Sequence, residues 1–177
     1  MDGKSIFAAL RRKETIATSG TRMRVRFFAG YDLPDGIENR RDMVSQSYAH
    51  GVPMGADLLQ RGTRSPWFLA WALRDPHSGW LQRVQIVKGW VADGKAQERV
   101  FDVACSDGLT PDATTHRCGD NGATVDLRTC ALSENKGAVE LRAAWSDPTF
   151  DPRQRAFYYV RVLENPSCRW STWDAVR

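Results

Sequence analysis

The sequence predicts an all-β chain, an antiparallel immunoglobulin-like β-sandwich with one short N-terminal helix. Three observations carry this expectation. Six or seven short segments alternate apolar and polar residues with the period of two that sends successive side chains to opposite faces of a strand. Gly, Pro, Asp and Asn punctuate the intervals between them. Helical spacing of apolar residues occurs clearly in one stretch near the N-terminus. At 177 residues the chain is long enough for one well-buried core and short for two.

Residues 2–13, DGKSIFAALRRK, place Ile6, Phe7, Ala9 and Leu10 on one side of a helix, with Asp2 at its start and Arg11, Arg12 and Lys13 at its end. Both charge placements complement the helix dipole. So short a helix is unstable alone and has to dock on something, including a domain outside this chain. The hydroxyl-rich segment 14–20 then feeds TRMRVRFF. Met23, Val25 and Phe27 alternate there with Arg22, Arg24 and Arg26, giving a strand with one apolar and one guanidinium face. The arginines stand about 6.8 Å apart. Such a row is either a solvated face that blunts a sheet edge or a row that meets phosphate, sulfate or carboxylate oxygens.

Residues 29–41 read as a loop, and residues 43–57 as a short strand ending in the Gly51-Val52-Pro53-Met54-Gly55 turn. His50 has no second ligand at metal spacing. The densest apolar patterning lies in residues 65–94. Trp67, Leu69, Trp71 and Leu73 share one strand face, a Pro- and Gly-containing turn follows, and residues 81–87 resume a β-rich run. The pair is expected as a hairpin at the centre of a sheet. The expected core is Trp67, Leu69, Trp71, Val84, Ile86, Leu141, Trp145, Tyr159 and Leu163. Further strands are expected at residues 98–105, 139–145 and 157–163, with a long polar loop over 106–136.

Cys105, Cys118, Cys130 and Cys168 allow three disulfide pairings. Cys118 with Cys130 is expected because it closes a short flexible loop, and Cys105 then pairs with Cys168. The alternative is a zinc site from Cys105, His116, Cys118 and Cys130, although structural zinc ligands usually come in closer pairs. Asp107, Asp112, Asp120 and Asp126 are the carboxylates that could hold calcium, but the Asp-x-Asp-x-Asp-Gly spacing is absent. The net charge of +4, from 25 Lys and Arg against 21 Asp and Glu, is spread along the chain and does not argue for nucleic acid. Nor does any apolar run approach the roughly 20 residues that span a bilayer.

Taken in order, SIFAALRRKETIATSGTRMRVRFFAG, YAHGVPMGADL, LQRVQIVKGWVADGK, FDVACSDG and AFYYVRVLENPSCRWSTWDAVR resemble the C-terminal part of a bacterial family known only as a domain of unknown function. That family is similar to the PHP (polymerase and histidinol phosphatase) superfamily of metal-dependent hydrolases, in particular the branch that includes the carbaryl hydrolase. The resemblance implies that residues 1–20 are the closing helix and strand of a PHP-like barrel and that residues 21–177 are an appended sandwich. The barrel's His-x-His and Asp-x-His ligands do not occur here, since the histidines are His50, His77 and His116. A divalent metal, zinc, manganese or iron, is therefore expected in the barrel, with no cofactor in this chain. The resemblance makes that barrel the expected partner, and export with it would place the protein in the periplasm or outside the cell. Thr18, Ser19, Arg22, Arg24, Arg26 and Arg169 are the candidates for contact with the barrel or with an anionic substrate. A freestanding module that binds carbohydrate or protein through Trp-rich faces is the competing expectation. Nucleic-acid binding ranks below both, because the arginine face lacks interleaved aromatic residues.

Overall fold

The computed structural model describes residues 2–176. Its strands are β1 (Arg24–Gly30), β2 (Val52–Pro53), β3 (Trp67–Leu73), β4 (Leu81–Ala92), β5 (Lys95–Cys105), β6 (Glu140–Ser146) and β7 (Ala156–Glu164). They form two antiparallel sheets, sheet A in the order β2-β1-β3-β6 and sheet B in the order β5-β4-β7. The predicted sandwich is therefore the observed architecture. Between the sheets, Phe27, Phe68, Ala70, Ala72, Leu141 and Ala143 from sheet A meet Leu81, Val84, Ile86 and Ala104 from sheet B, as two inner faces of alternating residues do.

The inward face of β3 is opposite to the expected one. Phe68, Ala70 and Ala72 point into the sandwich, while Trp67 is 43% exposed. Leu69 is buried on the outer face, in a second cluster with Phe28, Leu33, Ile37 and Met43, and Trp71 packs against it. The cover comes from a 3-10 turn, Ile37–Asn39, and from helix α2, Met43–His50. A strand buried on both sides reads as a nearly continuous apolar run, so alternation in WFLAWAL cannot choose its inner face. The Met43–His50 segment is a helix where a strand was expected, because its Met43 and Ser47, four residues apart, form the buried face. Tyr159, on the outer face of sheet B, is 40% exposed and leaves the predicted core as well.

Residues 74–80 do not form a hairpin; they carry the chain from sheet A to sheet B. The Asp75 carboxylate holds this crossing by accepting from the Arg22 and His77 amides at 2.7 and 2.9 Å. The hairpin in this region is β4–β5, turned at Asp93-Gly94, both with φ > 0. A bulge sets Gln85 opposite Asp102 and Val84 opposite Ala104, so Phe101 and Ala104 are both buried although they lie three apart.

The N-terminal helix α1, Gly3–Arg11, starts at Asp2, whose carboxylate accepts from the Ser5 amide at 2.8 Å. Its Ile6, Phe7 and Leu10 are exposed. Residues 15–20 form no strand, in contrast to the expected closing strand. A third helix, α3 (Trp170–Val176), follows the last strand. Among the described residues no helix is long and apolar enough to cross a membrane.

Candidate functional site

Helix α2 and the 3-10 turn cover only part of the outer face of sheet A. The uncovered part lies at the start of β1, where Arg24 stands opposite Leu73 and Arg26 opposite Trp71. A cleft of about 460 Å³ opens there, lined by Arg24, Arg26, Tyr48, Trp71, Ile16 and Met54. Its size falls within the range of small ligand sites, about 300–1,000 Å³.

The cleft's charges are unevenly matched. Glu140 accepts from the Trp71 indole and from the Arg142 guanidinium, at 2.8 and 2.6 Å for the latter, so its charge is taken. Glu14, which also lines the cleft, pairs with Arg12 at 2.9 Å. Arg24 and Arg26 have no carboxylate within 4.0 Å among the described residues. Arg26 makes one long contact, 3.5 Å, to the Tyr48 hydroxyl, and Tyr48 is held edge-on against Phe28 with ring centroids 5.0 Å apart. Two guanidiniums thus face an open, partly aromatic cleft without a counter-charge, an arrangement that favours carboxylate or phosphate oxygens.

The remaining predicted residues are not gathered here. Arg22 lies before β1 and outside the cleft lining, and its backbone N–H is engaged by Asp75. Thr18 donates its hydroxyl to the Thr21 carbonyl at 2.6 Å, and Ser19 is exposed beside it. Arg169 is exposed, and its carbonyl accepts from the Thr172 and Trp173 amides at the start of α3.

The cysteines pair as Cys105–Cys118 and Cys130–Cys168, which corrects the expected connectivity. The first pair forms because Asp102 anchors the returning loop. Its amide donates to the His116 carbonyl at 2.9 Å, and its carboxylate accepts from the Cys118 amide at 2.7 Å, laying residues 116–118 beside the end of β5. The second forms because Asn165 binds Asn121 and the Lys136 carbonyl, bringing the long loop to the chain after β7. With all four sulfurs in disulfides, the zinc set Cys105, His116, Cys118 and Cys130 has no thiolate to offer. The loop carboxylates are also occupied. Asp112, Asp120 and Asp126 accept from Thr114, Gly122 and Arg128 amides, and Asp107 from Gly137, which makes them turn braces rather than calcium ligands. Among the described residues no group of three or more His, Cys, Asp or Glu is placed to hold a metal.

Two buried polar clusters escaped sequence reasoning. Lys88 donates to Asp147 at 2.7 Å and to the Thr149 carbonyl at 2.9 Å, and the Tyr158 hydroxyl donates to the same carboxylate at 2.8 Å. Burial pushes the Asp147 carboxyl up, but the bonds it accepts from Lys88, from the Thr149 hydroxyl and amide, and from Tyr158 outweigh it and hold it below the ordinary carboxylate value. Burial and the same carboxylate push the Tyr158 hydroxyl up. On the opposite side of sheet B, Asp102 accepts from Arg83, Gln85 and Arg117. Lysine in the apolar run of β4 was the one available signal for the first cluster.

Comparison with curated proteins and with solved structures finds no match. One family model covers residues 2–177. The chain, a disulfide-braced β-sandwich with an arginine-lined cleft at the start of β1, therefore belongs to the family described as "Protein of unknown function (DUF3604)".

Proposed function

We propose that this chain is the accessory β-sandwich of a metal-dependent (phospho)ester hydrolase of the PHP-like kind, whose catalytic barrel and divalent metal lie outside it. The observation that carries this reading is the continuity of α1 with the cleft. Ile6, Phe7 and Leu10 are exposed on a short helix, and the segment that leaves it supplies Glu14 and Ile16 to the cleft wall. An apolar helix face of this kind gains by packing on a further domain. Such packing would bring Arg24 and Arg26 to the edge of that domain's site, where they would attract an anionic substrate. The two disulfides suit an oxidising compartment, periplasmic or extracellular.

The test is to express the chain together with an in-frame upstream segment bearing His-x-His and to assay phosphoester and carboxylic ester hydrolysis with zinc, manganese or iron. Turnover is expected from the longer protein and not from residues 1–177 alone. Arg24→Ala should lower turnover while leaving the melting temperature in place. Metal-dependent turnover by residues 1–177 alone would overturn the reading.

A second reading rests on sheet B. The rings of Phe157 and Tyr159 lie nearly parallel, 14° apart, with centroids separated by 6.4 Å on the exposed outer face. Phe157 sits over Gly89, where any Cβ would overlap its ring. An exposed aromatic ring suits the apolar face of a sugar, so binding of an oligosaccharide by residues 1–177, lost in Phe157→Ala, would favour a freestanding carbohydrate-binding module.

A further inference from the structure

Six consecutive residues, Met23 and the first five of β1, line the cleft. Side chains of a strand alternate between faces, so a cavity touched by every residue in turn extends from the outer face to the strand's edge. The hydrogen-bond register shows which edge is open. Phe28 pairs with Pro53 and Ala29 with Val52, and the Met54 amide donates to the Phe27 carbonyl at 2.9 Å. The chain then turns away, with Gly55 at φ +87° and the Ala56 amide bonded back to the Pro53 carbonyl at 3.3 Å. Backbone groups alternate sides along a strand, so Val25, two residues before Phe27, points its N–H and C=O to that same side. Among the described residues no backbone or side-chain partner reaches them there. β1 thus presents a short unpaired edge, a template for an added strand.

We propose that this edge binds an extended peptide segment by strand addition, and that the segment reads acid, apolar, acid. The register supplies the pattern. In an antiparallel pair, residues directly opposite one another share a face. The peptide residue opposite Val25 would exchange both backbone bonds with it and turn its side chain towards Ile16 and Met54. Its two neighbours would stand opposite Arg24 and Arg26, on the face where those guanidiniums have no carboxylate. Main-chain bonds then give affinity, and the alternating side chains give specificity. The proposal goes beyond the accessory-domain reading. It requires neither a barrel nor a metal, and the segment can belong to a catalytic domain or to a separate protein.

The experiment uses residues 1–177 and a capped peptide containing Glu-Val-Glu, followed by amide exchange and chemical shifts in NMR. Binding is expected with slowed exchange of the Val25 amide, and a Lys-Val-Lys peptide should bind at least about tenfold more weakly because like charges are opposed. A Val-Glu-Val peptide, which reverses the faces, should also bind more weakly. Arg24→Glu combined with Arg26→Glu should abolish binding of Glu-Val-Glu while near-ultraviolet circular dichroism remains unchanged, since both side chains are exposed. Three results would overturn the proposal: no binding, binding without protection of Val25, or full competition by inorganic phosphate with equal affinity for all three peptides. The last would identify a simple anion cleft. None of these results depends on whether the chain serves a hydrolase.

Discussion

The Lys88 ammonium lies 2.7 Å from a carboxylate oxygen of Asp147, with both side chains buried, and ties the central strand of sheet B to the chain leaving β6 of sheet A. A buried pair of this kind is expensive to break and cheap to replace whole. Lys88→Met or Asp147→Asn alone should each cost on the order of 3–5 kcal/mol, whereas an apolar replacement of both should cost less than the two singles summed. Urea unfolding of the four proteins measures the coupling.

The same carboxyl predicts acid sensitivity. Its value in the fold lies below the ordinary one near pH 4, so the stability it contributes is present above about pH 4 and is lost as pH falls through its folded value. Asp147→Asn should flatten the melting temperature in that window.

Glu164 predicts the opposite slope. Burial raises its carboxyl, and Oε1 has no partner while Oε2 accepts from Ser78 at 3.1 Å. A raised carboxyl favours the fold in its protonated form, so its contribution is complete below the ordinary value of about 4.3 and is lost as pH rises through the folded value. Glu164→Gln keeps an acceptor for Ser78 and removes the charge. It should raise the melting temperature at pH 7 and leave it unchanged well below pH 4.

The inward face of β3 is testable by a pair of substitutions. Phe68 is 3% exposed and packs against Phe27, Trp145 and Tyr158, so Phe68→Ala should cost about 3–5 kcal/mol. Trp67, its neighbour on the other face, should cost well under that despite its larger ring. Equal losses would restore the inverted face.

Disulfide mapping by mass spectrometry should return peptides joining Cys105 to Cys118 and Cys130 to Cys168. With sequence separations of 13 and 38 residues, the chain-entropy relation gives losses of about 3 and 4 kcal/mol on removing each. A product joining Cys118 to Cys130 would contradict the observed connectivity.

Gly30 and Gly51 set how closely α2 approaches β1. A Cβ at Gly30 would lie 2.7 Å from the His50 carbonyl oxygen, and one at Gly51 would lie 2.6 Å from that of Ala29. Backbone atoms cannot step aside as a side-chain tip can, so Gly30→Ala should cost about 1–3 kcal/mol. It should also shift Tyr48, which α2 carries, in spectra of the cleft.

By itself the sequence determined the fold class and most of the strands, because a period of two survives wherever one face meets solvent or turns punctuate the run. Val25 and Phe27 against Arg24 and Arg26, and Leu141 and Ala143 against Glu140 and Arg142, are such cases. It also carried Asp93-Gly94, a strong hairpin signal that apolar density in residues 65–94 outweighed. Only the tertiary structure decided which face of β3 is inside, since α2 and the 3-10 turn bury its second face and erase the alternation. Cysteine pairing likewise came from long-range bonds of Asp102 and Asn165, which no spacing encodes. Of the predicted arginine row, Arg24 and Arg26 share a cleft and Arg22 does not. An edge stays open only where the chain after Met54 turns away, a fact of three dimensions that local patterning cannot express.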